Sequence, residues 1–324
     1  MSTSFELDTD IRTAGKDGNP MKIYVAGHKG LVGSAIVRAI EAKGAHSWIG
    51  QSHNELDLLD RKAVFDYLDR SKPDAVLIAA AKVGGIMANN TYPVEFLSQN
   101  LQIETNLMDA AHAAGVERLL FLGSSCVYPK LSKQPIKEEY LLTGELEKTN
   151  EAYAISKISG LKLIQAYRQQ YSRKWVSAMP TNIYGPGDNF DIERAHVLPA
   201  LIRKFHDAKV RGDQSVTLWG SGSPLREFLH ADDLATACIF LIENYNDDIA
   251  INIGVGKDIS IKDLADLIKA VVGFDGDIEW DKSKPDGTPR KLLEISRISS
   301  LGWRSVISLE DGIKSTYSWY TENH

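Results

Sequence analysis

The sequence is poor in cysteine, carries little excess charge and contains no long apolar run. Its two cysteines, Cys126 and Cys238, cannot form a disulfide framework and are typical of a reducing compartment such as the cytoplasm. The sequence contains neither a CxxC nor an HExxH pattern, either of which would indicate a metal site. No apolar run approaches the ~18 residues of a membrane-spanning helix. The formal net charge of −6 argues against nucleic acid or an anionic membrane as a partner. These absences favour a cytoplasmic protein without metal, nucleic acid or membrane.

What the chain does contain is the composition of an ordinary globular protein. Hydrophobic residues make up 43% and charged residues 25% of the sequence. A chain of 324 residues can bury a large core and is expected to divide into two lobes. Residues 1–20 are polar and lack the apolar stretch of a signal peptide, so we expect a flexible extension outside the fold.

Short apolar segments alternate with amphipathic segments along the first half of the chain. This alternation predicts an α/β fold, a Rossmann-like doubly wound parallel sheet with helices on both faces. In such sheets, ligands bind beyond the carboxyl ends of the strands. Strands are predicted at 22–26, 45–50, 74–81 and 118–123, with another ending near 180, and helices at 31–43, 57–71, 93–115 and 151–171.

The turn-forming sequence Gly-Pro-Gly-Asp-Asn at 185–189 marks a boundary. We place a first domain over 21–185 and a smaller α/β C-terminal domain over 186–324. Apolar segments within 226–256 are expected to return to the first domain. In the second domain, helices are predicted near 196–209 and 261–271 and from 309 onward, with a strand at 216–219.

A glycine-rich turn separates the first strand from the first helix. Gly27 permits a tight turn, Gly30 lets the backbone approach a pyrophosphate, and Gly33 lets the helix pack on the strand. Phosphates are favoured at the helix N-terminus, where free N–H groups and the helix dipole attract negative charge. The strand–turn–helix order therefore predicts a dinucleotide site rather than an ordinary glycine turn. The turn reads Gly27, His28, Lys29, Gly30, Leu31, Val32 and Gly33.

The end of the second strand bears on the choice of dinucleotide. An acid about 20 residues past the glycines commonly binds a free ribose 2′-hydroxyl. Here that place is occupied by His53 and its neighbours, and the first acid is Glu55. With Lys29 in the glycine turn, this arrangement favours the 2′-phosphate of NADP(H), although Lys29 and His53 could also be merely solvated.

Tyr153 and Lys157 lie on one face of the predicted helix 151–171. A free tyrosine has a pKa of about 10, and a positive charge within ~4–6 Å favours the phenolate and lowers that pKa. Such a pair can act as the proton donor for a ketone that is being reduced. Ser124, directly after a strand, could bind the same carbonyl, although Ser-Ser after a strand is often only a turn and Tyr-x-x-x-Lys often an exposed pair.

Taken together, these motifs resemble the extended short-chain dehydrogenase/reductase family. The resemblance spans the chain from about residue 21 to the C-terminus and is closest to the family's GDP-linked sugar epimerase/reductases. It is carried by Gly27, Gly30, Gly33, Ser124, Tyr153 and Lys157, and by segments 26–30, 80–86, 89–93, 123–130, 180–182 and 283–291.

The resemblance implies two reactions at one site. The substrate would be GDP-4-keto-6-deoxy-D-mannose, inverted at C3 and C5 and then reduced at C4 by NADPH to give GDP-L-fucose. Because the C4 ketone acidifies the protons at both C3 and C5, one oxyanion site formed by Ser124 and Tyr153 can serve every step. Each such donor is typically worth ~2.7–4 kcal/mol.

The resemblance also implies roles for further residues. Cys126 and His196 would be the acid and base of epimerisation. Without the family resemblance, the simpler interpretations are that Cys126 is a packed apolar residue and that His196 is a packed or capping histidine. The family's paired helices, here 93–115 and 151–171, imply a homodimer. Implied substrate contacts are Lys204, Trp219, Arg226 and Asp286. Implied cofactor contacts are the glycine turn, His53, Asn54, Leu56, Asp57, Ala80, Ala81, Leu122, Gly123, Lys157, Pro180, Asn182, Ile183 and His196.

Two other functions remain open at this point. A nucleotide-sugar 4-epimerase that recycles NAD would need neither Cys126 nor His196 and would favour an acid after the second strand. A non-catalytic NADP-sensing protein would be expected to lose Tyr153 or Lys157, and both are present.

Overall fold

The computed structural model describes residues 19–192, 194–284 and 286–324. Of the predicted N-terminal extension, only residues 19 and 20 fall within the described part. Among the described residues, no helix is both long and apolar enough to cross a membrane.

The strands are short and most are buried. They are β1 (Lys22–Ala26), β2 (Ser47–Ile49), β3 (Ala75–Ile78), β4 (Arg118–Leu122), β5 (Lys174–Pro180), β6 (Asn182–Tyr184), β7 (Ser215–Trp219), β8 (Leu225–Arg226), β9 (Phe228–His230), β10 (Ile251–Ile253), β11 (Ile259–Ser260), β12 (Asp277–Asp281) and β13 (Arg290–Lys291).

The helices lie between many of these strands. They are α1 (Leu31–Lys43), α2 (Arg61–Ser71), α3 (Ile86–Thr91), α4 (Pro93–Ala113), α5 (Glu151–Tyr171), α6 (Val197–Arg211), α7 (Ala231–Asn244), α8 (Ile261–Val272), α9 (Ser296–Ser300) and α10 (Leu309–Asn323).

The centre of the molecule is a six-stranded parallel sheet in the order β10-β5-β4-β3-β1-β2. Alternate side chains of β1 enter opposite cores, as the pleat of a strand requires. Ile23 and Val25 pack with α1 and α7 on one face, and Tyr24 and Ala26 pack with α2, α4 and α5 on the other. The predicted doubly wound parallel sheet is therefore confirmed.

A third core lies outside this sheet. It joins α6, α8 and α10 to the parallel pair β7–β12 through residues such as Phe205, Leu218 and Ile268. Two further small sheets are present: β6 pairs with β9, and β8 pairs with both β11 and β13. The strand within segment 250–254, β10, pairs with β5 at the edge of the central sheet.

Several predicted elements are longer than the observed ones: strand 74–81 is observed as Ala75–Ile78, strand 45–50 as Ser47–Ile49 and helix 93–115 as Pro93–Ala113. The helix predicted from residue 57 begins at Arg61, because Asp60 precedes it and its Oδ1 accepts a hydrogen bond from the Ala63 N–H at 3.0 Å. Helices 31–43 and 151–171 have the predicted bounds. The sequence analysis did not delimit α7, which packs against α1 and carries the buried Cys238.

Candidate active site

The carboxyl ends of β1 and β3 meet at the glycine turn. Gly27 has φ +87°, and a Cβ there would lie 2.8 Å from the Ala80 nitrogen. A Cβ on Gly33 would lie 2.0 Å from the Gly27 carbonyl oxygen, so α1 packs directly on the turn. Gly30 precedes α1 without any side-chain cap, which leaves N–H groups at the helix start for a ligand. This side-chain-free cradle fits the pyrophosphate of a dinucleotide.

The segment after β2 presents the imidazole of His53 to solvent. The His53 side chain is 80% exposed, with Nδ1 3.9 Å from Asp57 Oδ1. Glu55 turns back onto Ser52 and accepts hydrogen bonds from its N–H (2.7 Å) and hydroxyl (2.6 Å). These bonds, with a smaller effect of Lys29, lower the pKa of the Glu55 carboxyl.

The neighbouring expected contacts differ in access. His28 packs inward, since a Cβ at Gly50 would lie 2.6 Å from its Nδ1. Leu56 is buried within the core formed with α2, whereas Asn54 is exposed. Of the residues expected at the adenosine end, His53, Asn54 and Asp57 are therefore the ones with exposed side chains.

Ser124 and Tyr153 come together at the end of β4. The Ser124 hydroxyl accepts a hydrogen bond from the Cys126 N–H at 3.2 Å, and the Ser124 side chain lies near the Tyr153 phenol. Burial raises the pKa of Tyr153 above its ordinary value, and the charges of Cys126 and Glu104 raise it further. The nearby Ser124 side chain opposes that rise. The predicted lowering of the Tyr153 pKa is therefore wrong for this structure.

The position of Lys157 explains the difference. Its Nζ lies 3.1 Å from Glu104 Oε1, and both side chains are almost fully buried. The ammonium lies 4.7 Å from the centroid of the Phe121 ring and 5.8 Å from that of the Tyr153 ring. Lys157 is near the phenol, as predicted, but a carboxylate from α4 offsets its charge.

The Cys126 thiol lies in a polar setting. Asn150 Nδ2 is 3.3 Å from the sulfur and Lys291 Nζ is 3.7 Å from it. In its ionised form Cys126 raises the pKa of Tyr153, so the two side chains lie near each other. An apolar packing role does not account for these contacts. By contrast, Cys238 is buried in the core of α7, where burial raises its pKa.

His196 directly precedes α6. The preceding backbone is held by the glycine loop after β3, where the Gly85 N–H donates to the Arg194 carbonyl at 2.9 Å. Although the residue as a whole is exposed, protein atoms around the imidazole desolvate it and lower its pKa, and the Lys291 charge lowers it further. The imidazole is thus biased towards its neutral form. Lys291 is close enough to act on both His196 and Cys126.

A flat aromatic surface with cations around it lies in the region of the third core. The Trp219 side chain is 58% exposed, with Lys204 Nζ 5.7 Å and Lys284 Nζ 5.6 Å from its ring centroid. Arg203 instead donates to the Phe190 carbonyl at 3.1 Å and pairs with Asp207. Lys204, and not the neighbouring Arg203, therefore faces the Trp219 ring.

Arg226 and Asp286 adjoin this surface in different ways. Arg226 Nη1 donates to the Leu225 carbonyl at 2.8 Å. Burial lowers the Arg226 pKa, and the Cys126 charge opposes this effect. The Asp286 carboxylate accepts from the Ser221 N–H (2.6 Å) and hydroxyl (2.8 Å), so it orders the loop after Trp219.

The remaining expected cofactor residues lie at neighbouring strand ends. Leu122 ends β4, and the Gly123 N–H that follows donates to the Ala178 carbonyl at 2.8 Å. Asn182 donates its Nδ2 to the Glu227 carbonyl at 2.7 Å, which fixes the start of β6. The others are placed by the backbone: Ala80 and Ala81 follow β3, Pro180 ends β5 and Ile183 lies in β6.

The sequence analysis missed three polar residues of this site, Glu104, Asn150 and Lys291. One signal was available for Glu104, because it lies with Asn100 on the stripe of α4 that is otherwise apolar and buried. A polar residue on a buried stripe needs a partner. Asn150 and Lys291 have no such signal, since their contact with Cys126 depends on the folded chain.

The chain belongs to the NAD dependent epimerase/dehydratase family. The family's sequence profile matches residues 23–254, which span the six strands of the central sheet except for the first residue of β1. The family resemblance stated from the motifs is thereby confirmed.

Within that family, the chain is similar to GDP-L-fucose synthases. It is 56% identical over 302 residues to GDP-L-fucose synthase 1 of Arabidopsis thaliana, covering 93% of this chain and 94% of that protein. It is 51% identical over 311 residues to GDP-L-fucose synthase of Escherichia coli (strain K12), covering 93% and 97%. A GDP-mannoheptose C4 reductase from Campylobacter jejuni, solved with NADP bound, superposes with a TM-score of 0.86 at 37% identity, covering 94% and 99%.

Proposed function

We propose that this protein inverts C3 and C5 of GDP-4-keto-6-deoxy-D-mannose and reduces C4 with NADPH, giving GDP-L-fucose. The observation that carries the proposal is the cluster of Ser124, Tyr153 and Cys126 at and after the end of β4, which brings a hydroxyl, a phenol and a thiol close together. The similarity to named GDP-L-fucose synthases over most of the chain supports the same substrate.

Epimerisation requires a base and an acid on opposite faces of the sugar ring. One of Cys126 and His196 removes the proton at C3 or C5, and the electrons move onto O4 to form an enolate. Ser124 and Tyr153 donate hydrogen bonds to that oxygen. The other group then returns a proton to the opposite face of the same carbon, so the configuration inverts without net oxidation. The lowered pKa of His196 suits a proton acceptor near neutral pH.

Reduction uses the same oxyanion site. Bound NADPH supplies the hydride that reduces C4. Tyr153 transfers its proton to O4 and is left as the phenolate, which solvent protonates again. The raised pKa keeps the phenol protonated at neutral pH, as a proton donor requires.

We assign binding of the nucleotide sugar to the surface around Trp219. An aromatic ring can stack on a base, Arg226 can bind a diphosphate through two parallel hydrogen bonds, and Lys204 adds a second cation. In this proposal 21–185, with segments from 226–256, hold the dinucleotide, and 186–324 hold the GDP-sugar. The exposed Lys29 and His53 support NADP over NAD.

The decisive experiment supplies the purified chain with GDP-4-keto-6-deoxy-D-mannose and NADPH. Loss of the reduced-nicotinamide absorbance together with an L-configured 6-deoxy product is expected. Oxidation of NADPH that gives only a C4-reduced D-sugar would contradict the epimerase half. No oxidation at all would contradict the proposal as a whole.

We further propose a cytoplasmic homodimer that pairs through the outer faces of α4 and α5. Both cysteines are free thiols, in keeping with a reducing compartment. Ile155 on α5 and Val94 on α4 are exposed apolar side chains, in keeping with a covered face. Light scattering after size exclusion should give twice the chain mass, and a monomer that retains full activity would contradict the dimer.

A further inference from the structure

Glu104 is a buried acid for which the proposed reaction has no use. Its side chain is 2% exposed on α4, in the layer of helices beside the proton donor. Both carboxylate oxygens are enclosed, and no described residue gives either of them a hydrogen bond. The nearest charge is the Lys157 ammonium at 3.1 Å. Burial raises the pKa of Glu104, and Lys157 opposes that rise.

The surrounding chain makes room for this carboxylate. A Cβ at position 160 would lie 2.8 Å from Glu104 Oε2 and 2.5 Å from the Phe121 ring. Gly160 on α5 therefore leaves the space that lets α4 bring an acid against the lysine. The Phe121 ring lies 4.7 Å from the ammonium and limits its movement on another side.

Stability alone is a poor reason for such a pair. Removing two charges from water costs free energy that their attraction repays only with good geometry and further hydrogen bonds. Here the carboxylate lacks the further hydrogen bonds. The unfavourable burial of these two charges occurs next to Tyr153, whose ring centroid lies 5.8 Å from the Lys157 ammonium.

The charges around the phenol indicate what the pair does. A lysine that faced Tyr153 alone would favour the phenolate, which cannot give a proton to O4. The titratable groups that face the phenol are Glu104 from α4, Cys126 from the segment after β4 and Lys157 on its own helix. Among these, Glu104 is the one whose charge directly offsets the lysine.

We propose that Glu104 is a positioning residue, whose carboxylate holds the Lys157 ammonium beside Tyr153 and offsets its charge, so that the phenol keeps its proton until O4 needs it. The inference rests on the proposed function and adds a residue to it. It predicts that the acid acts through the lysine and touches neither sugar nor nicotinamide.

The test is the Glu104→Gln variant of the full chain. Without the offsetting charge, the Tyr153 proton is lost more readily, so the basic limb of the kcat–pH profile for ketone reduction should move down by about one pH unit. KM for the sugar should change little. Glu243→Gln is the matched control, since Glu243 is also buried and paired with a lysine, Lys43 at 2.7 Å, but lies at the end of α7. It should change thermal stability without moving the limb.

A second measurement does not depend on turnover. Tyrosine labelled with ¹³C at Cζ reports ionisation by NMR, and Tyr153→Phe identifies the signal. That signal should titrate at lower pH in Glu104→Gln than in the unmodified chain, and also in a Cys126→Ala background, which removes the thiol charge.

An unchanged limb and an unchanged titration in a folded Glu104→Gln protein would overturn the inference, even if kcat fell. If that variant does not fold, Glu104→Asp decides, because withdrawing the carboxylate by one methylene should shift both readouts in the same direction by less. No shift in Glu104→Asp would equally overturn it. If the unmodified chain fails to turn over the sugar, the proposed function is contradicted instead. The NMR titration would still test whether Glu104 shifts the ionisation of Tyr153, because it does not depend on turnover.

Discussion

The cations at the two ends of the candidate site differ in whether a carboxylate of the protein is paired with them. Lys157 is almost fully buried and is paired with Glu104 at 3.1 Å. Lys204 and Arg226, by contrast, form no salt bridge with any described residue, although burial lowers the pKa of each. One end has a cation that the protein itself neutralises, and the other keeps its cations free.

This difference separates two uses of positive charge. A cation with an internal carboxylate serves to place and tune a neighbouring group, and its charge is not available to a ligand. A partly buried cation without a partner has lost some hydration and is ready for an anion from outside. The first use fits a proton-transfer centre and the second fits a diphosphate site. Substitutions at the two ends should therefore divide kcat from KM.

The largest effect is expected at the proton-transfer centre. Tyr153→Phe removes the donor to O4, and loss of a general acid typically costs ~10²–10⁴-fold in rate. The fall should appear in kcat for ketone reduction, with the dissociation constant of NADPH nearly unchanged by fluorescence titration. Tyr171→Phe, at the far end of the same helix, is the control. Retained turnover in Tyr153→Phe would remove the phenol from this role.

The next effect separates carbon acids from the ketone. Cys126→Ser should slow the exchange of deuterium from D₂O into C3 or C5 by about 10²-fold, because a hydroxyl is a weaker acid–base group than a thiol. Exchange is read by mass spectrometry of the recovered sugar. Cys238→Ala serves as the control, since that thiol lies in the core of α7. Unchanged exchange would show that Cys126 moves no proton.

The opposite kinetic pattern is expected at the open end. Arg226→Met should raise KM for the GDP-sugar by roughly 10- to 150-fold, the equivalent of about 1.5–3 kcal/mol for hydrogen bonds to a charged group. Here kcat should change much less, and added salt should weaken binding by the unmodified chain more than by the variant. Arg211→Met, which removes an exposed arginine paired with Asp213, is the control. A fall in kcat at constant KM would erase the contrast between the two ends.

How well the sequence predicts these regions depends on what fixes each feature. The turn at Gly27 and Gly33 can be predicted from the sequence because the need for glycine there is local: a side chain would clash with the nearby backbone. The Lys157–Glu104 pair is not, because α4 and α5 bring together residues 53 positions apart. The same reason hid the contact of Lys291 with Cys126, and led to the wrong direction for the Tyr153 pKa.

A smaller effect is expected where one cation influences both candidate acid–base groups. Lys291→Met removes a charge that lowers the pKa of His196, so that pKa should rise towards its ordinary value near 6.5. The acid limb of deuterium exchange should move up accordingly, since the imidazole must be neutral to accept a proton. Lys284→Met, which removes a cation near the Trp219 ring, should leave the limb in place. A limb that stays fixed in Lys291→Met would assign the proton acceptor elsewhere.

The smallest effect tests whether the open-end logic extends to the cofactor. Lys29 lies at the glycine turn, forms no salt bridge within the described ranges and faces the Glu55 carboxylate only at longer range. If Lys29 binds the 2′-phosphate, Lys29→Met should weaken the binding of NADPH about two- to fivefold, as expected for an exposed charge pair. The binding of NADH should be unchanged. Lys22→Met, at the opposite end of β1, is the control. Equal losses of affinity for both dinucleotides would show that Lys29 binds the pyrophosphate, which NADPH and NADH share, and not the 2′-phosphate.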